Sequence, residues 1–191
     1  MKKLVLVRHG LTDLLAEGRY QGHSDPPLNK EGRGQIKNLA PRFSEEKPQI
    51  IFSSPLKRAH ESAKILGKKH KLGIHLDGRL KEISFGDWEG QTYDEIVRKY
   101  PEAFEWWKKD LANFRPAGGE SLADLQSRVV SFFSEVKNRS EDVVAIVAHG
   151  GVIRAFMVEL MGLAFDSFWK FELSPASMTV IDMERELKVR V

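Results

Sequence analysis

A chain of 191 residues with 41% apolar composition can bury one proper core, and 30 Lys and Arg against 27 Asp and Glu leave a formal charge of only +3. The two signs are interleaved, which argues against a nucleic-acid partner, and the absence of cysteine excludes disulfides, thiolate catalysis and cysteine-held zinc. Lys2-Lys3 precedes only four apolar residues before Arg8, too few for a signal-peptide core, and no apolar run approaches the ~20 residues of a membrane span; the expectation is a soluble cytoplasmic protein without a membrane partner.

In chain order, Leu4-Val5-Leu6-Val7 reads as a buried parallel strand ended by Arg8, His9 and Gly10. Glycines and prolines over 18–27 give a pocket-lining loop, and Asn29 then caps a helix over 30–43 with Ile36, Leu39, Ala40 and Phe43 inward. Residues 49–53 form a second buried strand, and Ser54-Pro55 opens a helix to about 70 carrying Ala59, Ala63, Ile65 and Leu66 to the core. Two short helical patterns, 93–100 and 102–111, break the strand and helix alternation, so the chain reads as one domain, 1–191, with a small helical cap inserted at about 93–120. Trp106, Trp107 and Phe114 are read as packing within that cap. A longer amphipathic helix over 121–137 leads into the strand 143–148, ended by His149, Gly150 and Gly151, and a helix over 153–161 follows. The segments 169–173, 178–183 and 187–191 alternate like strands of an edge meander, and the second offers an edge contact for a homodimer.

Two apolar strands that each end in histidine and glycine place both imidazoles in the crevice beyond the strand ends, where open α/β sheets bind ligands. Arg8 follows one strand and Arg58 lies in the first turn of the helix after another; a guanidinium matches phosphate oxygens with a fixed fork, and helix N-termini add aimed N–H groups. The candidate chemistry is phosphoryl transfer: His9 as nucleophile through a phosphohistidine, Arg8, Arg58 and a protonated His149 around the equatorial oxygens, and Glu82, in a loop between apolar residues, as general acid. His23, His60, His70 and His75 read as structural or surface residues from their polar contexts.

On Arg8-His9-Gly10, Ser53-Ser54-Pro55-Leu56-Lys57-Arg58-Ala59, Leu80-Lys81-Glu82 and Ala148-His149-Gly150-Gly151, taken in order, the chain resembles the histidine phosphatase superfamily over nearly its whole length. The resemblance implies a three-layer α/β/α fold with a mostly parallel central sheet, the phosphohistidine route, and no metal or cofactor. Phe85-Gly86-Asp87-Trp88-Glu89-Gly90 and Pro116-Ala117-Gly118-Gly119-Glu120-Ser121-Leu122 resemble the small bacterial branch of α-ribazole-5′-phosphate phosphatases and metal-independent phosphoserine phosphatases. The expected function is therefore hydrolysis of a small phosphorylated metabolite, with α-ribazole 5′-phosphate as first substrate. Phosphoserine or broad specificity, a phosphoglycerate mutase and a non-catalytic phospho-ligand module are the alternatives, in that order. Leu11 and Leu15 depart from the family pattern; Leu15 replaces an asparagine that contacts phosphate, and Thr12, Gln21 or a backbone amide is the expected substitute. Thr12, Gln21, Gly22 and Gly150 are the expected substrate contacts.

Overall fold

The computed structural model describes residues 1–184 and the backbone of 188–190. Strand β1 (Lys3–Arg8) sends alternate residues to opposite faces, so Leu4 and Leu6 enter one core and Val5 and Val7 the other. A one-turn helix, α1 (Asp13–Ala16), follows; Thr12 caps it, its hydroxyl accepting from the Leu15 N–H. Helix α2 (Lys30–Glu45) begins at the expected cap, with the Asn29 side chain accepting from the Gly32 N–H, and buries Ile36 and Phe43. Strand β2 (Ile50–Ser53) and helix α3 (Lys57–Gly67) come next, then β3 (Ile74–Leu76), a three-residue strand too short for a readable alternation.

Two short helices occupy the next segment. Helix α4 (Tyr93–Lys99) starts with a Thr92/Glu95 capping box, and α5 (Pro101–Lys109) has proline in its first turn, where a missing N–H is harmless. They close over a separate aromatic cluster in which Trp107 and Phe114 pack on the buried Trp88, while Trp106 faces solvent. Helix α6 (Leu122–Val136), with a Ser121/Asp124 capping box, leads into β4 (Val143–Ala148), α7 (Gly150–Leu160), β5 (Met178–Asp182) and β6 (Lys188–Arg190).

The sheet order is β3-β2-β4-β1-β5-β6, parallel over the first four strands and antiparallel where β5 meets β1 and β6. Helices α2 and α3 pack on the face of Val5 and Val7, and α6 and α7 on the face of Leu4 and Leu6, giving three layers. Phe132 and Phe156 meet edge to face between α6 and α7, and burial of each such ring contributes about 1.5–3 kcal/mol.

Two readings of the C-terminal part need correction. The alternating segment 169–173 is not a strand: residues Phe165–Lys170 form a 3-10 helix, and the Phe171 and Leu173 carbonyls accept from the Arg154 and Arg8 side chains instead of a sheet ladder. The strand at 178–183 is not the sheet edge either, because β6 covers its outer side, so it offers no open contact for a second copy. Of the segment 187–191, Leu187 and Val191 lie outside the described residues.

The topology positions the site. Strand β4 is inserted between β1 and β2, so the connections from β1 and from β4 leave on different sides and open a crevice at the carboxyl ends. The parallel register pairs Arg8 with Ala148, so His9 and His149 emerge side by side.

Candidate active site

A cavity of about 270 Å³ opens at this crevice, lined by His9, Arg8, Arg58 and Glu82 together with Gln21, Gly22 and Gly150. The His9 and His149 rings are 5.1 Å apart, and both residues are buried. His9 Nδ1 lies 2.7 Å from the Gly10 carbonyl, which can only accept, so Nδ1 carries the proton and Nε2 keeps its lone pair. The close approach depends on glycine: a β-carbon at Gly10 would stand 2.4 Å from the Gly32 carbonyl oxygen in the first turn of α2.

Arg58 is fully buried, with its two terminal nitrogens donating to the Ser24 and Gly22 carbonyls at 2.7 and 2.8 Å. Arg8 donates through Nη1 to the Leu173 carbonyl. His149 Nε2 is 2.8 Å from Ser54 Oγ, which also accepts from the Leu56 N–H; in the tautomer where the Ser54 hydroxyl donates to Nε2, Nδ1–H is a donor. Among the described residues, five buried side-chain polar atoms have no partner, and three of them are Arg8 Nε, Arg58 Nε and His149 Nδ1. Buried donors are normally satisfied, so this concentration around His9 marks a place built for a ligand rich in acceptor oxygens.

Glu82 is the carboxylate of the cavity lining. Both its oxygens accept from the Gly151 N–H in the first turn of α7, at 3.1 and 3.2 Å, and Oε1 also accepts from Ile83. Gly151 makes room for it, since a β-carbon there would be 2.3 Å from Glu82 Oε1. Arg79, the nearest cation in sequence after Lys81, is paired elsewhere, with Asp77 and Glu135.

Burial, reinforced by Arg58 and Arg8, holds the His9 pKa well below its ordinary 6.5, and the same causes with His9 itself lower His149. These shifts favour the neutral form of His149 over the expected protonated one, and the fixed positive charge of the site comes from the guanidiniums. Burial also lowers Arg58, to about 10, against the opposing pull of Glu82. These histidines give a pH prediction. The unfolded chain protonates them below about 6.5 while the folded chain keeps them neutral to lower pH, so the unfolded state binds more protons in that window and stability falls as pH falls through it. His60, also lowered by burial, adds to the effect, whereas Asp77, held low by Arg79, acts only in the carboxylate range. The urea midpoint is expected to drop between pH 7 and 5, less steeply in His149→Gln; a flat profile over that range would contradict neutral, buried imidazoles.

Of the expected substrate contacts, Gln21, Gly22 and Gly150 line the cavity and Thr12 does not. The buried Thr12 hydroxyl donates to Gln21 Oε1 at 2.7 Å, and the Gln21 amide nitrogen has no hydrogen-bond partner among the described residues. His23 is spent on structure: Nε2 lies 2.9 Å from the Glu82 carbonyl. His70 meets Ser44 Oγ at 2.9 Å, and His75 is exposed.

Several supporting residues have roles that the sequence did not assign, although Glu89 and Glu120 lie in the motifs that carry the branch resemblance. Glu89 accepts from the backbone N–H of His23, Ser24 and Phe85, fixing the loop whose carbonyls hold Arg58. Arg128 on α6 donates to the carbonyls of Arg79, Lys81 and Glu82 and pairs with Glu120, clamping the Glu82 loop. Arg154 and Trp169 also line the cavity. Charge at these positions was visible in the sequence, but nothing local distinguishes an inward carboxylate or guanidinium from a solvated one. Among the described residues no three His, Asp or Glu side chains are grouped as a metal ion would need, and no helix is long and apolar enough to cross a membrane.

A family profile described as histidine phosphatase superfamily (branch 1) matches residues 4–190. Phosphoserine phosphatase 1 of Hydrogenobacter thermophilus is 38% identical over 190 residues, covering 99% of this chain and 90% of its own. Glucosyl-3-phosphoglycerate phosphatase of Mycobacterium tuberculosis is 35% identical over 171 residues, 85% of this chain and 76% of its own. The crystal structure of the α-ribazole phosphatase from Shigella flexneri superposes with a TM-score of 0.90 at 28% identity, covering 99% of this chain and 95% of that one.

Proposed function

Because the chain belongs to the histidine phosphatase superfamily, branch 1, and is a phosphatase of that group, we propose that it hydrolyses a small phosphomonoester through a phosphohistidine on His9. The observation that carries this reading is the set of unpartnered buried nitrogens, Arg8 Nε, Arg58 Nε and His149 Nδ1, around an imidazole whose Nδ1–H is held by Gly10. The phosphoryl group sits among those donors and the N-terminus of α7, with Gln21 supplying the amide that stands in for the contact Leu15 lacks.

His9 Nε2 forms a bond to phosphorus as the ester P–O bond breaks, and Glu82 gives its proton to the departing oxygen. Water then attacks phosphorus on the opposite side, the N–P bond breaks, and the Glu82 carboxylate takes the proton from that water. The two guanidiniums balance the charge on the equatorial oxygens in both steps. Helices α4 and α5 contribute no lining residue; they pack around Trp88 next to Phe85 and so brace the cavity wall. The cavity is slightly smaller than the ~300–1,000 Å³ of sites that hold drug-sized ligands, which favours a compact metabolite.

The test is phosphate release from α-ribazole 5′-phosphate, O-phosphoserine, glucosyl-3-phosphoglycerate and 3-phosphoglycerate, with and without EDTA. Release from at least one of them, unchanged by chelation, is the expected result. Loss on chelation would overturn the metal-free course, and conversion of 3- to 2-phosphoglycerate without release of phosphate would make the chain a mutase.

A further inference from the structure

Three arginines besides Arg58 line the cavity, and they differ in how they are used. Arg19 is neutralised by Glu17 and Glu95 and also donates to the Gly90 carbonyl. Arg8 belongs to the phosphoryl seat described above. Arg154, one turn into α7, donates from Nε to the Phe171 carbonyl at 3.1 Å, and its guanidinium carbon lies 5.3 Å from the Trp169 ring centre. Those two contacts fix the guanidinium plane. Among the described residues its two terminal nitrogens have no hydrogen-bond partner and no carboxylate pairs with it. Burial lowers its pKa, with Glu82 too distant to do more than oppose that effect electrostatically.

The free fork lies beside the phosphoryl seat. A β-carbon at Gly150 would stand 2.9 Å from Arg154 Nη1 and 3.5 Å from Arg8 Nε, so both guanidiniums crowd the same glycine. A half-buried cation without a counter-ion is unfavourable unless a ligand supplies one. Resting on the phosphatase reading, we propose that Arg154 binds a carboxylate a few bonds from the phosphate ester, so that the substrate is a phosphorylated carboxylic acid. A carboxylate suits it better than a second phosphoryl group: one fork offers a single bidentate pair, whereas the phosphoryl seat commits two guanidiniums, an imidazole and a helix N-terminus to its dianion. The apolar wall of Leu15, Ile83, Phe85 and Trp169 takes the carbon skeleton between the two anions. This places α-ribazole 5′-phosphate, which has no carboxylate, behind acids of phosphoserine type.

The test is competition against p-nitrophenyl phosphate hydrolysis by two compounds of equal length, 3-phosphoglycerate and glycerol 3-phosphate, which differ only in a carboxylate against a hydroxymethyl group. In the wild type 3-phosphoglycerate is expected to have an inhibition constant lower by about tenfold or more, the size of one charge-assisted pair. In Arg154→Met the ratio falls to near one, and Arg154→Lys, which keeps the charge without the fork, gives an intermediate ratio. Because the ratio is taken within each variant, a general loss of activity cancels. A wild-type ratio near one, or a ratio unchanged in Arg154→Met, would leave Arg154 as a tether for the Phe171 backbone only and overturn the proposal. Wild-type protein unable to cleave p-nitrophenyl phosphate, or activity undiminished in His9→Ala, would instead overturn the phosphatase course beneath it.

Discussion

Alanine at His9 is expected to lower turnover of p-nitrophenyl phosphate by about 10⁴-fold or more while the protein stays folded. The size follows from what the imidazole does. It forms the bond to phosphorus, and no other nucleophile among the cavity residues replaces it: the lining holds no cysteine, serine or lysine. If water attacked the ester directly, with His9 only one donor among several, its removal would cost about 10²–10³-fold, as for a single oxyanion-stabilising group. Single-turnover kinetics on wild type and variant distinguish the two. The fold is expected to survive because, among the described residues, the Gly10 carbonyl is the one hydrogen-bond partner the ring holds, so that its loss leaves one acceptor next to a cavity water can enter.

Replacing Arg58 by methionine is the second large effect, expected to reduce kcat/KM by about 10³-fold, mostly in kcat. The loss combines a charge that balances the transferring phosphoryl group and the position of the loop at Gly22 and Ser24. Stability is expected to change by less than about 2 kcal/mol, because two terms oppose. Two carbonyls lose their donor, at ~1–3 kcal/mol if left dry. Against this, a fully buried cation whose pKa is already lowered to about 10 is removed, together with its repulsion of Arg8. Arg58→Lys keeps a charge but loses the fork and Nε, so it is expected to recover little of the activity. A variant that melts far below the wild type would show that the arginine chiefly braces the loop, and a kcat near wild type would remove it from the reaction.

How much of this was legible in the sequence depends on length and on whether a group's partner is local. The strands ending in His9 and His149 were readable because four or more consecutive apolar residues followed by histidine and glycine have few other uses, and their parallel register then brings the rings together. The helices over α2, α3 and α6 were readable from caps and periodicity. Strand β3 was not, having three residues with two of them exposed, nor was α1, one turn set by the Thr12 cap. The segment 169–173 alternates convincingly, yet its carbonyls are claimed by Arg8 and Arg154 from distant parts of the chain, which no local pattern reveals. The charge of His149 was hard to read for a related reason: what pushes its pKa down is burial and Arg58, both tertiary facts. The roles of Arg128 and Arg154, and that of Glu89 within a motif quoted only for its resemblance, were not readable because each works through backbone groups or the cavity wall.

The measurement that bears most directly on the account is capture of the phosphorylated enzyme. In Glu82→Gln, p-nitrophenyl phosphate can still phosphorylate His9, since p-nitrophenolate leaves without a proton, while the water that should cleave the N–P bond has lost its base. Quenching this variant at high pH and mapping the digest by mass spectrometry is predicted to find a base-stable, acid-labile phosphoryl group on the peptide that contains His9, and none when His9→Ala is added. A phosphoryl group on another residue, or a stoichiometric release of phosphate with no adduct at any time, would contradict the phosphohistidine at the centre of this account.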